Sequence, residues 1–187
     1  MIYDLPFGRG KKFGHDWNNA TNALLGNWQV TVIEKITSGF PIFLINSNNG
    51  TALGSGVNFY NNGNNFNRPA QICNPNSGFQ QSLAMWFNTS CFASAAPGEL
   101  GNANRAPVAG PDFVNTDFSV IKRFALPWEN MGLDFRAEIF NLFNHAQFGL
   151  PGIPGLPNDV SSPATFGKIS YTVNNPRLVQ FGLKLTF

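Results

Sequence analysis

The sequence predicts an all-β protein, and within that class an antiparallel up-and-down transmembrane β-barrel, on three observations. Turn formers and aromatic rings displace helix formers: 25 Asn, 19 Gly and 13 Pro stand beside 19 Phe in 187 residues, and only 12% of the residues are charged, against the quarter or so usual in soluble domains. Several segments alternate apolar and polar side chains with the period of a strand. The connections between them alternate short and long, as in a barrel with tight turns at one end and long loops at the other. The composition excludes a helix bundle or coiled coil. No apolar run reaches the ~18 residues a membrane helix needs, whereas barrel strands average to a neutral hydropathy, and the mean hydropathy here is -0.11.

Five strands are expected, near residues 1–7, 24–45, 113–126, 131–144 and 177–187. The first is a stub, Ile2 to Phe7. In the second, Trp28, Val30 and Val32 alternate with Gln29, Thr31 and Ile33; Glu34 interrupts the pattern, and Gly39 and Pro41 signal a bend before about Ile45. In the third, Phe118, Val120 and Phe124 oppose Asp117 and Ser119. Pro127 to Asn130 leads at hairpin length into the fourth. There Leu133, Phe135, Ala137 and Ile139 share one face, and Asp134, Arg136, Glu138 and Phe140 the other. Such a charged face is solvated in a sandwich and lumenal in a barrel, so alternation alone leaves both open. The fifth strand sets Val179, Phe181, Leu183, Leu185 and Phe187 against Gln180, Gly182, Lys184 and Thr186. Arg177 to Phe187 has the length of a tilted membrane strand, about 9–11 residues.

The connections 46–111 and 145–176, about 66 and 32 residues long and rich in Asn, Gly, Pro and Ser, are hard to place in a compact soluble sandwich. With the last strand ending in the periplasm, Gly8–Ala23 and Pro127–Asn130 become periplasmic turns and the two long connections become extracellular loops. Cys73 and Cys91 then lie outside the cytosol, where a disulfide is the economical reading; closing that loop is worth about 3 kcal/mol in the chain-entropy model. Met1 to Pro6 carry neither a basic nor an apolar signal region, so no secretory signal is expected in this chain. The net charge of +2 is scattered, which argues against nucleic acid as a partner.

Residues suited to chemistry do not assemble into a catalytic set, so no enzyme and no cofactor is expected. His15 and His145 fall in separate connections, without metal-ligand or triad spacing. Asp134 and Glu138 are about 13 Å apart along a strand, too far for a glycosidase pair and with Arg136 between them. A charge network across the lumen is the better reading, and lining of a substrate path the narrower one. Gly8-Arg9-Gly10-Lys11-Lys12 lacks the spacing of a phosphate loop and is expected to be a basic turn. Trp28, Trp128 and Phe7 are expected as anchors at the membrane interface. Phe59, Tyr60, Phe66 and Trp86 either contact an extracellular ligand or pack the long loop.

Several segments together carry a family resemblance. Tyr3-Asp4-Leu5-Pro6-Phe7-Gly8-Arg9-Gly10-Lys11, Leu25-Gly26-Asn27-Trp28-Gln29-Val30, Ser38-Gly39-Phe40-Pro41, Trp86-Phe87-Asn88, Phe135 to His145 and the closing Phe181 to Phe187 resemble, in order, the C-terminal end of TonB-dependent receptors. The nearest branch is the Oar-like one, which carries a carboxypeptidase-regulatory-like domain ahead of its plug. The resemblance implies a bacterial outer-membrane barrel of about 22 strands closed by a plug, of which this chain is a C-terminal fragment of about five strands, without the plug. It also implies energised uptake or surface binding of a nutrient in the whole protein, and no transport by the fragment alone. Phe181, Leu183, Leu185 and Phe187 match the terminal signal read by the barrel-assembly machinery. The implied partners are that machinery, the TonB complex through the missing N-terminal part, outer-membrane lipid and an unidentified extracellular ligand. The competing expectation is a secreted, disulfide-bonded β-sandwich that binds carbohydrate or another surface polymer through its loops.

Overall fold

Alternating side chains in five segments produce one sheet, and the long connections produce a second unit with its own core. The computed structural model describes residues 1–47, 68–95, 99, 101–126 and 131–187. In chain order its elements are β1 (Ile2–Asp4), helix α1 (Asn19–Leu25), β2 (Trp28–Thr37), β3 (Pro41–Ile42), β4 (Leu44–Ile45), β5 (Ala70–Gln71), β6 (Phe92–Ala93), β7 (Val108–Ala109), β8 (Phe113–Ala125), β9 (Gly132–Phe140), β10 (Asn158–Asp159) and β11 (Leu178–Thr186). The sheet has the order β1-β2-β8-β9-β11, so chain neighbours in the sheet are spatial neighbours. Among the described residues it is an open meander, with β1 and β11 at its free edges.

The segment expected as one strand over 24–45 is divided. Its first residues belong to α1, because the Asn18 side chain accepts a bond from Thr21 N at 2.8 Å and caps a short helix. Asn27 follows in the left-handed region, φ 56°, where Asn is among the few residues tolerated, and β2 starts one residue later. Beyond Thr37 the backbone leaves the sheet at Gly39, where a Cβ would lie 1.9 Å from Gly110 O; only glycine permits that approach. Pairing resumes as β3 with β7.

The pairing fixes the faces. Leu133, Phe135, Ala137 and Ile139 of β9 stand opposite Leu185, Leu183, Phe181 and Val179 of β11, and opposite Phe124, Lys122, Val120 and Phe118 of β8. The alternate positions align Lys184, Asp134 and Arg123 across three strands, then Gly182, Arg136 and Ile121, then Gln180, Glu138 and Ser119. Leu126 N donates to Met131 O at 3.3 Å across the β8–β9 connection; Pro127–Asn130, with Trp128, lies outside the described residues.

The connections expected as extended loops instead form a compact unit, Thr37–Phe113 with Gln147–Asn174. Its core is Ile42, Leu44, Phe87, Cys91, Phe92, Ala103, Val108 and Phe166, drawn from both connections and from the end of the segment expected as strand 24–45. Phe87, Phe92 and Phe166 meet edge to face, with centroids 5.7, 5.3 and 6.1 Å apart, a favoured arrangement of ring quadrupoles. The 145–176 connection also pairs with the end of the segment expected as strand 24–45, Asn158 with Leu44 and Asp159 with Ile45, in parallel. A disulfide joins Cys73 to Cys91, their Cα atoms 4.8 Å apart.

Candidate functional site

On β9 the alternation of Asp134, Arg136 and Glu138 puts all three on one face, and the sheet supplies their partners. Arg123 Nε donates to Asp134 Oδ1 at 3.0 Å, and Arg136 lies 3.4 Å from Glu138 Oε1. Gln180 Nε2 donates to the other oxygen of Glu138. Further along the sheet, Gln29 Nε2 donates to Asp4 Oδ1 at 2.8 Å, and Lys11 stands 3.9 Å from Asp4 Oδ2. Asp4, Lys11, Gln29, Ile121 and Arg123 line a shallow polar cleft of about 110 Å³ with Asn27 and Trp28. Cations and anions thus alternate across several strands, a pattern that suits a water-filled passage and would be costly in hydrocarbon. Sequence reasoning found the three β9 charges; Arg123, Asp4 and Gln29 needed the strand order.

The opposite face is apolar. Phe181 and Leu183 are each 71% exposed and Phe187 91%, with Leu185 also exposed, so among the described residues nothing covers the face of the last strand. Phe135 and Phe181 stack at 6.1 Å. Two polar residues interrupt this face. Glu34 accepts a bond from Thr116 Oγ1 at 2.6 Å, which accounts for its place in the β2 alternation. Lys122 is only 2% exposed and is held by helix α1.

The loop unit carries the remaining polar chemistry. Asp159 Oδ1 accepts from Ser161 N at 3.0 Å and from Ser161 Oγ at 2.6 Å, and its carboxylate also accepts from Ser47 N and Ser47 Oγ at 3.1 and 2.5 Å. Burial alone would raise this pKa, but these bonds outweigh it and hold the carboxyl below its ordinary range. Buried asparagines tie irregular backbone together: Asn158 donates to Pro151 O at 2.6 Å and accepts from Gly167 N at 3.1 Å. Trp86 packs against the core and donates to Ala109 O at 2.8 Å, so of the two expectations for it the structure gives packing. Phe59, Tyr60 and Phe66 lie outside the described residues. An open, largely apolar cleft of about 330 Å³ runs between Pro41–Phe43, Leu150–Pro151, Leu156 and Tyr171.

His15 pairs with Asp16 at 2.7 Å in an exposed turn, far along the chain from His145. Among the described residues no three His, Cys, Asp or Glu side chains gather as a metal site. Among the described residues no helix is long and apolar enough to cross a membrane, which leaves crossing by strands open.

A family model described as an outer membrane beta barrel domain matches residues 1–180. No curated protein and no solved structure matches the chain. With nearly all of its length matched, the chain belongs to the outer membrane β-barrel family, its location is the outer membrane, and the soluble sandwich is set aside.

Proposed function

We propose that this outer-membrane chain is the C-terminal barrel portion of a TonB-dependent receptor of the Oar-like kind, serving energised uptake or surface binding of a nutrient. The observation that carries the reading is the union of two long connections in one disulfide-linked, aromatic core. A barrel that only needs to close its loops has no use for such a unit, whereas a receptor needs a shaped surface outside the cell. Support also comes from the open meander, whose two free edges call for further strands, and from the ordered segments that resemble such receptors. In this reading Asp134, Arg136 and Glu138 face the lumen, and Phe181, Leu183, Leu185 and Phe187 engage the barrel-assembly machinery. The TonB complex acts through the N-terminal part that this chain lacks, and the loop unit meets the ligand.

The test is in-cell crosslinking followed by capture from outer-membrane fractions with an antibody to the 145–176 connection. The expected result is a band several times larger than 20.5 kDa that crosslinks to TonB. A 20.5 kDa band with no TonB adduct contradicts the receptor reading and leaves a small barrel in its place.

A further inference from the structure

Lys122 occupies a position that a lysine should avoid. It stands opposite Phe135 in the β8–β9 register, on the apolar face between Val120 and Phe124, yet its side chain is almost fully buried. Its ammonium stays on that face and reaches along the sheet to the end of α1. There it donates to Gly26 O and lies 3.5 Å from Asn22 O, while sitting 5.5 Å from the Trp28 ring and 5.1 Å from the Phe124 ring. Trp28 Nε1 donates to Leu24 O at 2.9 Å. Carbonyls at the end of α1 thus take two side chains of the apolar face: Leu24 O, the C-cap Gly26 O, and Asn22 O, which the Gly26 N–H also meets at 2.9 Å. A cation at that end also meets the favourable pole of the helix dipole, and the two rings shelter it.

This clasp puts α1 on the apolar side of the sheet, at the end where β2 begins and β8 finishes. Two consecutive helical residues, Leu24 and Leu25, are nevertheless 70% and 56% exposed, and no residue of α1 is buried. An outer-membrane location supplies what covers them. We infer that α1 is an interfacial collar: Leu24 and Leu25 enter the boundary between lipid headgroups and acyl chains, and Lys122 with Trp28 pins the helix there. Lys122 is a positioning residue whose charge is satisfied by the helix, so the collar's partner is the lipid boundary itself and no single headgroup. The inference rests on the barrel family and is independent of the receptor reading.

The test places a polarity-sensitive fluorophore on Leu24→Cys in the native protein reconstituted into phosphatidylcholine vesicles; the disulfide between Cys73 and Cys91 leaves the new thiol as the target. Nitroxides attached to lipid near the headgroup should quench it more strongly than aqueous iodide. Strong iodide quenching with no lipid quenching would overturn the collar. Adding Lys122→Met should lower the lipid quenching at least about twofold, as expected once the pin is lost, while a probe at Leu183→Cys stays unchanged. Lys122→Arg, which keeps the donor, should restore it, and unaltered quenching in Lys122→Met would overturn the clasp. If Lys122→Met fails to insert, Trp28→Phe, which removes the bond to Leu24 and leaves a smaller ring beside Lys122, takes its place with the same expected direction.

Discussion

The sheet and the loop unit have opposite structures. The sheet has strands of 9 to 13 residues in β8, β9 and β11, yet among the described residues no apolar side chain buried by the chain belongs to it. Every buried hydrophobic residue, from Ile42 to Ile169, lies in the loop unit, whose strands are two residues long. Long regular strands whose apolar side chains stay unburied among the described residues and short irregular ones around a packed core call for different solvents. Between its two edges the sheet satisfies its backbone by strand pairing, and an outer-membrane location offers lipid as the cover for its apolar side chains. The loop unit must exclude water by itself, and does so with rings, a disulfide and asparagine side chains that replace regular backbone pairing.

That contrast can be broken from either side. The largest effect is expected from Phe87→Ala, which removes the ring that Phe92 and Phe166 both contact; a loss of about 3–5 kcal/mol should unfold the loop unit. Limited proteolysis of the connections on intact cells reads it, while heat-modifiable migration of the barrel stays as before. Opening the Cys73–Cys91 bridge by paired serine substitution should cost about 3 kcal/mol, again confined to the loops. The matching strike on the sheet is Leu183→Lys. A lysine near the hydrocarbon midplane costs about 2–4 kcal/mol, so folding into vesicles should weaken while loop protection in the inserted fraction is retained.

The smallest effect is one of pH. Because the folded pKa of Asp159 is lowered, its stabilisation is complete above the unfolded carboxylate value of about 3.9 and disappears as pH falls through the lower folded value. Protease sensitivity of the loop unit should therefore rise on acidification through that range. Asp159→Asn should flatten this acid limb and leave insertion of the sheet untouched.

Legibility in the sequence follows the same division. Strand β11 and the charged face of β9 are visible because a period of two survives wherever one face meets lipid and the other water. Lys122 breaks the apolar alternation of β8 and needed the structure, since its partners are carbonyls of α1 that no side-chain pattern encodes. The helix itself is too short for a period, although Asn18 three residues before Thr21 is a capping signal that could have marked it. The loop core was hidden for a different reason. Phe87, Phe92 and Phe166 come from two connections and sit on no periodic element, so composition announced loops while tertiary contact made a folded unit. The abundance of asparagine, which suggested turns, is partly explained by positions such as Asn27, Asn141 and Asn144, all at positive φ, and by buried Asn158.

The most direct test of the division between lipid and water is a nitroxide scan along β11 in the native protein, reconstituted in vesicles. Labels at Val179, Phe181, Leu183 and Leu185 should be reached by oxygen dissolved in the bilayer, and labels at Gln180 and Lys184 by a water-soluble nickel chelate, in strict alternation. Equal access of the chelate at all six positions, or alternation of the opposite phase, would contradict a lipid-facing apolar stripe on this sheet.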